Sequence, residues 1–190
     1  MEKISQKVYL TIKNYCDNSL TEKHFLASQI IYDPINNTIL EIDFDEDGTE
    51  VFRNHIDDSE NFEYITPDSS EFVKAMHGSV QIEKTDNGYI QKDVNENGIL
   101  LKSKSVIKNQ IGLVERTEEF NSNNELINKE EWWYDKFDQV VGNRITDSNN
   151  NVIEERTLEY DHNHRIKKII ILFYNEEKML SEKIYDYVYD

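Results

Sequence analysis

A chain of 190 residues with 38 Asp and Glu against 21 Lys and Arg has a formal net charge of -17, which disfavours tracking of nucleic-acid phosphates. A hydrophobic fraction of 37%, with 11 Tyr and 8 Phe, is too aromatic for a disordered chain, and two Pro and six Gly provide no flexible linker. The single cysteine, Cys16, excludes an internal disulfide framework; with no apolar leader in MEKISQKVYLTIKNYC and no run near membrane-spanning length, the expectation is a cytoplasmic protein without a membrane partner.

The first element is a strand. Between Lys7 and Lys13, Val8, Leu10 and Ile12 face one way and Tyr9 and Thr11 the other, the period of two of a half-buried strand. A turn unit then starts to recur: an aromatic or β-branched residue, Asp or Asn, a short polar tract, then an apolar pair. Its first copies are Tyr32-Asp33 with Ile39-Leu40, and Phe44-Asp45 with Gly48 and Val51-Phe52. Thr66-Pro67-Asp68 breaks the rhythm. Asp68 with Glu71 has the spacing of a capping box and Gly78 suits a stop, predicting a short helix over residues 68–77.

The unit resumes at Val94-Asn95 and Phe120-Asn121, and continues through Tyr134-Asp135, Thr146-Asp147, Tyr160-Asp161 and Tyr174-Asn175. From Phe120 the anchors fall at 120, 134, 146, 160 and 174, spaced 14, 12, 14 and 14. Each interval holds one strand and a tight turn, and strands joined this closely pair antiparallel. The expected fold is mainly β: an antiparallel meander of tandem hairpin repeats, curled into a curved sheet or half-barrel. It is read as a single domain over 1–190, with a hairpin block over 1–65, the helical insert over 66–78 and hairpin repeats over 79–190.

The Tyr-Asp units, at Tyr32-Asp33, Phe44-Asp45 to Gly48, Tyr134-Asp135, Tyr160-Asp161 and Tyr174-Asn175, resemble the YD repeats of Rhs-type proteins. They are also similar to the MORN-variant hairpin repeats of small bacterial antitoxin-like and immunity-like proteins. The resemblance implies a non-enzymatic scaffold, with immunity or antitoxin activity as one recurrent role.

Asp43 to Gly48 and Asp93 to Gly98 match the first half of a calcium loop, but the twelfth position, which should be a bidentate Glu, is Asn54 or Lys104. Both segments are also repeat turns, whose chemistry already calls for Asp, Asn and Gly. His162-Asn163-His164 occupies another turn, and exposed turn histidines are the expectation there. No nucleophile elbow, phosphate loop or zinc spacing is present, so neither an enzyme nor a cofactor is expected.

Two features point to protein binding. Glu41 to Glu63 contains ten acidic residues and one basic residue, Arg53, which suits either a solvated edge or a docking patch for a cationic protein. In Glu130-Glu131-Trp132-Trp133-Tyr134-Asp135, Trp132 and Tyr134 share one face, the inner one by alignment with Leu158 and Tyr160, and Trp133 shares the other with Glu131 and Asp135, which suits either an interface anchor or, given Ile171 and Phe173, a second core on that face. The expectation is an immunity or antitoxin protein that neutralises a basic toxin or effector. Its candidate contacts are Asp45, Glu46, Asp47, Asp57, Asp58, Glu131, Trp133, Asp135 and Glu159. The alternatives are a MORN-like scaffold and a small-molecule or calcium-binding β-protein.

Overall fold

The computed structural model describes residues 3–16, 19–57, 79–176 and 178–189, and every regular element among them is a strand. They are β1 (Ile4–Cys16), β2 (Ser19–Asp33), β3 (Thr38–Phe44), β4 (Glu50–Asp57), β5 (Ser79–Thr85), β6 (Gly88–Val94), β7 (Leu100–Lys108), β8 (Val114–Asn121), β9 (Leu126–Tyr134), β10 (Val140–Asp147), β11 (Val152–Tyr160), β12 (Ile166–Asn175) and β13 (Lys178–Tyr189). Their order is β4-β3-β2-β1-β13-β12-β11-β10-β9-β8-β7-β6-β5. The first and last strands are therefore neighbours inside the order, and β4 and β5 are its two ends. The protein is mainly β, an unclosed antiparallel meander of 13 strands. The helix expected over residues 68–77 lies outside the described residues. Among the described residues there is no helix, so none long and apolar enough to cross a membrane, and the helix expectation is not borne out.

The recurring turn has one geometry. At Asp135, the backbone N–H donates to the Gln139 carbonyl at 2.9 Å and the Asp138 N–H donates back to the Asp135 carbonyl at 3.2 Å. The side-chain Oδ1 of Asp135 accepts the N–H groups of Phe137 at 2.8 Å and Gln139 at 3.0 Å. The same four bonds recur at Asp45, Asn95, Asn109, Asn121, Asp147 and Asp161. This is the three-residue hairpin loop, a type I turn followed by a left-handed residue. Gly48, Gly98 and Gly112 take the left-handed position in three loops; Asn124, Asp138, Asn150 and His164 take it in four. Only a short side-chain oxygen reaches the N–H two residues on, which is why Asp or Asn opens every loop.

From Asn95 the clamps stand at 95, 109, 121, 135, 147 and 161, alternating 14 and 12 apart. Asn109 is absent from the sequence pattern because Lys108, neither aromatic nor β-branched, precedes it. Beside the loops opened by Asp45, Asn95, Asn109, Asn121 and Asp135, the ladder shifts register by a bulge.

The contacts divide into two compact units, Met1–Glu63 with Arg156–Asp190, and Tyr64–Glu155. In the first, Val8 and Ile42 are buried, and Val8 and Leu10 lie opposite Tyr187 and Tyr185. The alternation expected between Lys7 and Lys13 is present, but the Tyr9 and Thr11 face is not simply wet. Thr11 is buried, its hydroxyl lies 2.8 Å from His24 Nδ1, and Tyr9 stacks on that imidazole at 5.8 Å. In the second unit the buried apolar side chains are Val94 and Val106, accompanied by Ser103, Thr117, Asn143 and Thr146.

No large side chain among the described residues is fully buried. The described strands belong to one sheet. Cross-strand pairing therefore does much of the stabilising that a thick core does elsewhere, at roughly 0.2–1 kcal/mol per favourable pair.

Candidate partner-binding surface

Period-two alternation and the register of β9 with β10 set out the surface around Trp133. Trp133 lies opposite Gly142, Trp132 opposite Asn143, and Glu131 opposite Arg144. Trp132 is half-buried, as its inward position requires, whereas Trp133, the last residue but one of β9, is 43% exposed. Gly142 offers no side chain to cover the indole. The Arg144 guanidinium sits 5.5 Å from the ring centroid, within cation–π range. Arg144 is in turn held by Glu155 Oε1, at 2.7 Å from Nε and 2.6 Å from Nη2. The indole is thus braced before any partner arrives, which reduces the ordering cost of binding.

The charges around it alternate. Arg116 and Arg144 flank Glu131 from the two neighbouring strands. Lys129 Nζ lies 3.2 Å from Glu131, and Arg116 Nε lies 3.2 Å from Glu118. The surroundings of Trp133 are therefore a balanced lattice, not a field of one sign. Sequence reasoning saw Glu131 and Asp135 there but not the arginines, which arrive from other strands.

The remaining candidates have varied roles. Asp45 and Asp135 are loop clamps whose Oδ1 atoms are engaged by backbone N–H groups. Glu46 pairs with Lys23 at 2.5 Å in an exposed contact, and Asp47 is exposed beside it. The Asp57 backbone pairs with Thr38, Asp58 lies outside the described residues, and Glu159 is exposed near the end of β11. Asp45, Glu46, Asp47, Asp57 and Glu159 belong to the first unit and Glu131, Trp133 and Asp135 to the second, so neither unit gathers the whole set.

The calcium-like Asp45 makes the same two side-chain bonds as the uncharged Asn95, so turn geometry accounts for its carboxylate. Among the described residues no group of His, Cys, Asp and Glu is arranged to hold a metal. His162 and His164 are exposed in their loop, His164 at the left-handed position.

Sequence reasoning missed Phe137, 55% exposed at the tip of the β9–β10 loop with Lys136 Nζ 4.8 Å from its ring. Its place in the loop repeat was the available signal. An open polar hollow of about 740 Å3 also lies between the β5–β6 and β7–β8 turns, lined by Thr85, Asp86, Lys108, Asn109, Gln110 and Glu115 among others.

No family model matches the chain, and no curated protein matches it. Among solved structures, it is similar to a DUF1329 family protein from Desulfovibrio piger (TM-score 0.34, 8% identity, 98% of this chain and 83% of that one). It is also similar to a LolA superfamily protein from Nitrosomonas europaea (TM-score 0.27, 9% identity, 97% and 84%). A third similarity is to a porin-like protein from Bacteroides uniformis (TM-score 0.25, 9% identity, 97% of each chain). At these scores the similarities establish neither a shared fold nor a shared function.

Proposed function

We propose that this chain is a non-catalytic binding protein that captures a basic protein, acting as a cytoplasmic immunity protein or antitoxin against a toxin or effector. The observation that carries the reading is Trp133: a large aromatic, exposed near the C-terminal end of β9, braced by Arg144 and left uncovered by Gly142. Such residues anchor protein interfaces, where truncation to alanine typically costs about 2 kcal/mol or more. The net charge of -17 supplies the second half of the argument. It attracts a cationic partner over distance and raises the association rate, while the anchor governs release. The exposed carboxylates of Asp47 and Glu159 contribute to that field. The likeness of the Tyr-Asp units to antitoxin-like and immunity-like hairpin repeats supports the same role. The reading includes a curved sheet that presents the Trp133 face to the partner, since strand twist accumulates along a long meander.

The test is co-production with a basic toxin or effector, candidates for which are sought among the proteins encoded beside this chain. Cells making that protein are expected to survive with the wild-type chain and to lose protection with Trp133→Ala at equal abundance. Survival that does not depend on this chain would rule the reading out.

A further inference from the structure

The end strand β5 has a backbone that is regular, in phase and open. Its ladder to β6 keeps one register from Ser79↔Val94 to Thr85↔Gly88 without a bulge, unlike the β3–β4 ladder at the other end of the order. Its phase follows from one bond. The Lys108 N–H donates to the Asn87 carbonyl at 2.7 Å, so Asn87 turns its backbone groups toward β7. By alternation Tyr89, Gln91 and Asp93 do the same, while Gly88, Ile90, Lys92 and Val94 turn theirs toward β5. Their partners Thr85, Glu83, Gln81 and Ser79 answer them. The backbone N–H and C=O groups of Val80, Ile82 and Lys84 consequently face the open edge, with no partner strand among the described residues. Neither a proline nor a bulge protects this edge, and its charges are confined to Glu83 and Lys84. Ile82, at the centre of the strand, is 65% exposed.

We infer that β5 pairs antiparallel with β5 of a second copy of this chain, about a two-fold axis through Ile82. In that register Ile82 faces Ile82 of the second copy, Val80 faces Lys84, Gln81 faces Glu83 and Ser79 faces Thr85. Every outward N–H and C=O finds a partner, giving about six backbone hydrogen bonds. The charge pattern allows self-pairing: Glu83 falls opposite Gln81 and Lys84 opposite Val80, so no like charges lie directly opposite one another. Two exposed isoleucines become one cross-strand apolar pair. A two-fold contact of this kind is closed, so it yields a dimer and not a fibre.

The experiment is sedimentation equilibrium of the full chain over micromolar to millimolar concentration, at low and at high salt. The expected result is a monomer–dimer equilibrium that shifts toward dimer with added salt, because two chains of charge -17 repel at long range. Ile82→Pro removes an outward N–H without touching the ladder to β6, and Ile82→Lys sets two cations face to face at the axis. Both variants are expected to be monomeric with an unchanged far-ultraviolet spectrum. A wild-type chain that stays monomeric throughout overturns the inference, as does a dimer that either well-folded variant leaves intact.

Discussion

Asp161 and Arg165 bind each other twice within one hairpin loop: Asp161 Oδ2 lies 2.8 Å from Arg165 Nε and 2.7 Å from Nη2, while Oδ1 accepts the Arg165 N–H. That N–H, with the guanidinium and the Asn163 N–H, holds the Asp161 carboxyl down at about 2. Asp33 is held down to about 2 chiefly by the Asn36 side-chain amide, and Asp147 is lowered chiefly by that of Asn151.

The sign of the pH effect follows. A carboxyl depressed in the folded state contributes stability that is fully present above its unfolded value near 3.9 and is lost as pH falls through the folded value. The melting temperature should therefore hold steady down to about pH 4 and drop between about 4 and 2. Asp161→Asn should keep the loop, since Asn121 clamps its own loop without charge, and should flatten that drop. Melting curves from pH 7 to pH 2 for both chains check this.

The loop clamps make a prediction at neutral pH. Asn121→Ala removes two accepted N–H bonds and should cost about 1–2 kcal/mol in urea denaturation. Asp138 carries a φ of 63°, a conformation strained for any residue with a Cβ. Asp138→Gly should therefore stabilise the chain by about 1 kcal/mol. A loss from the glycine variant would contradict the assigned loop geometry.

Gly88 is required for a different reason. A Cβ there would stand 1.8 Å from the Val106 carbonyl oxygen, whereas at Gly48 and Gly98 it would meet open space. Gly88→Ala should cost about 3 kcal/mol by forcing the β6–β7 ladder apart. Gly98→Ala, strained only in its backbone, should cost about 1 kcal/mol. Equal losses at the two sites would mean that the close approach is absent.

Tyr134 ties two elements together through its hydroxyl, which donates to the Val114 carbonyl at 2.6 Å. Burial raises the phenol's pKa above its usual value. Tyr134→Phe leaves that carbonyl short of a donor and should cost about 1 kcal/mol by denaturant titration.

The hairpins were legible because their chemistry is local. An Asx side chain, two N–H groups and a left-handed residue fall within five positions, so Tyr134-Asp135 and Tyr160-Asp161 stand out by inspection. The Asn109 loop did not, because its clamp follows Lys108, and the aromatic or β-branched residue that flags the other turns is an accompaniment and not a requirement. The opposite directions of Trp132 and Trp133 followed from period two, and alignment with Leu158 and Tyr160 pointed to Trp132 as the inner one. The bracing of Trp133 by Arg144 and Glu155 did not follow, because those contacts come from β10 and β11. The pairing of β1 with β13 joins the two ends of the chain, and no local pattern carries it. Asp45 and Asp135 looked like free carboxylates in the sequence because composition does not reveal which oxygens the backbone has already engaged.

The most direct test of the binding account is calorimetric titration of this chain with the basic protein whose toxicity it relieves in the co-production test, at two salt concentrations, with wild type and Trp133→Ala. The account predicts tight binding that weakens with salt, and a variant at least about 30-fold weaker, the equivalent of about 2 kcal/mol. Heat that is absent, or an affinity indifferent to both salt and the missing indole, would contradict it.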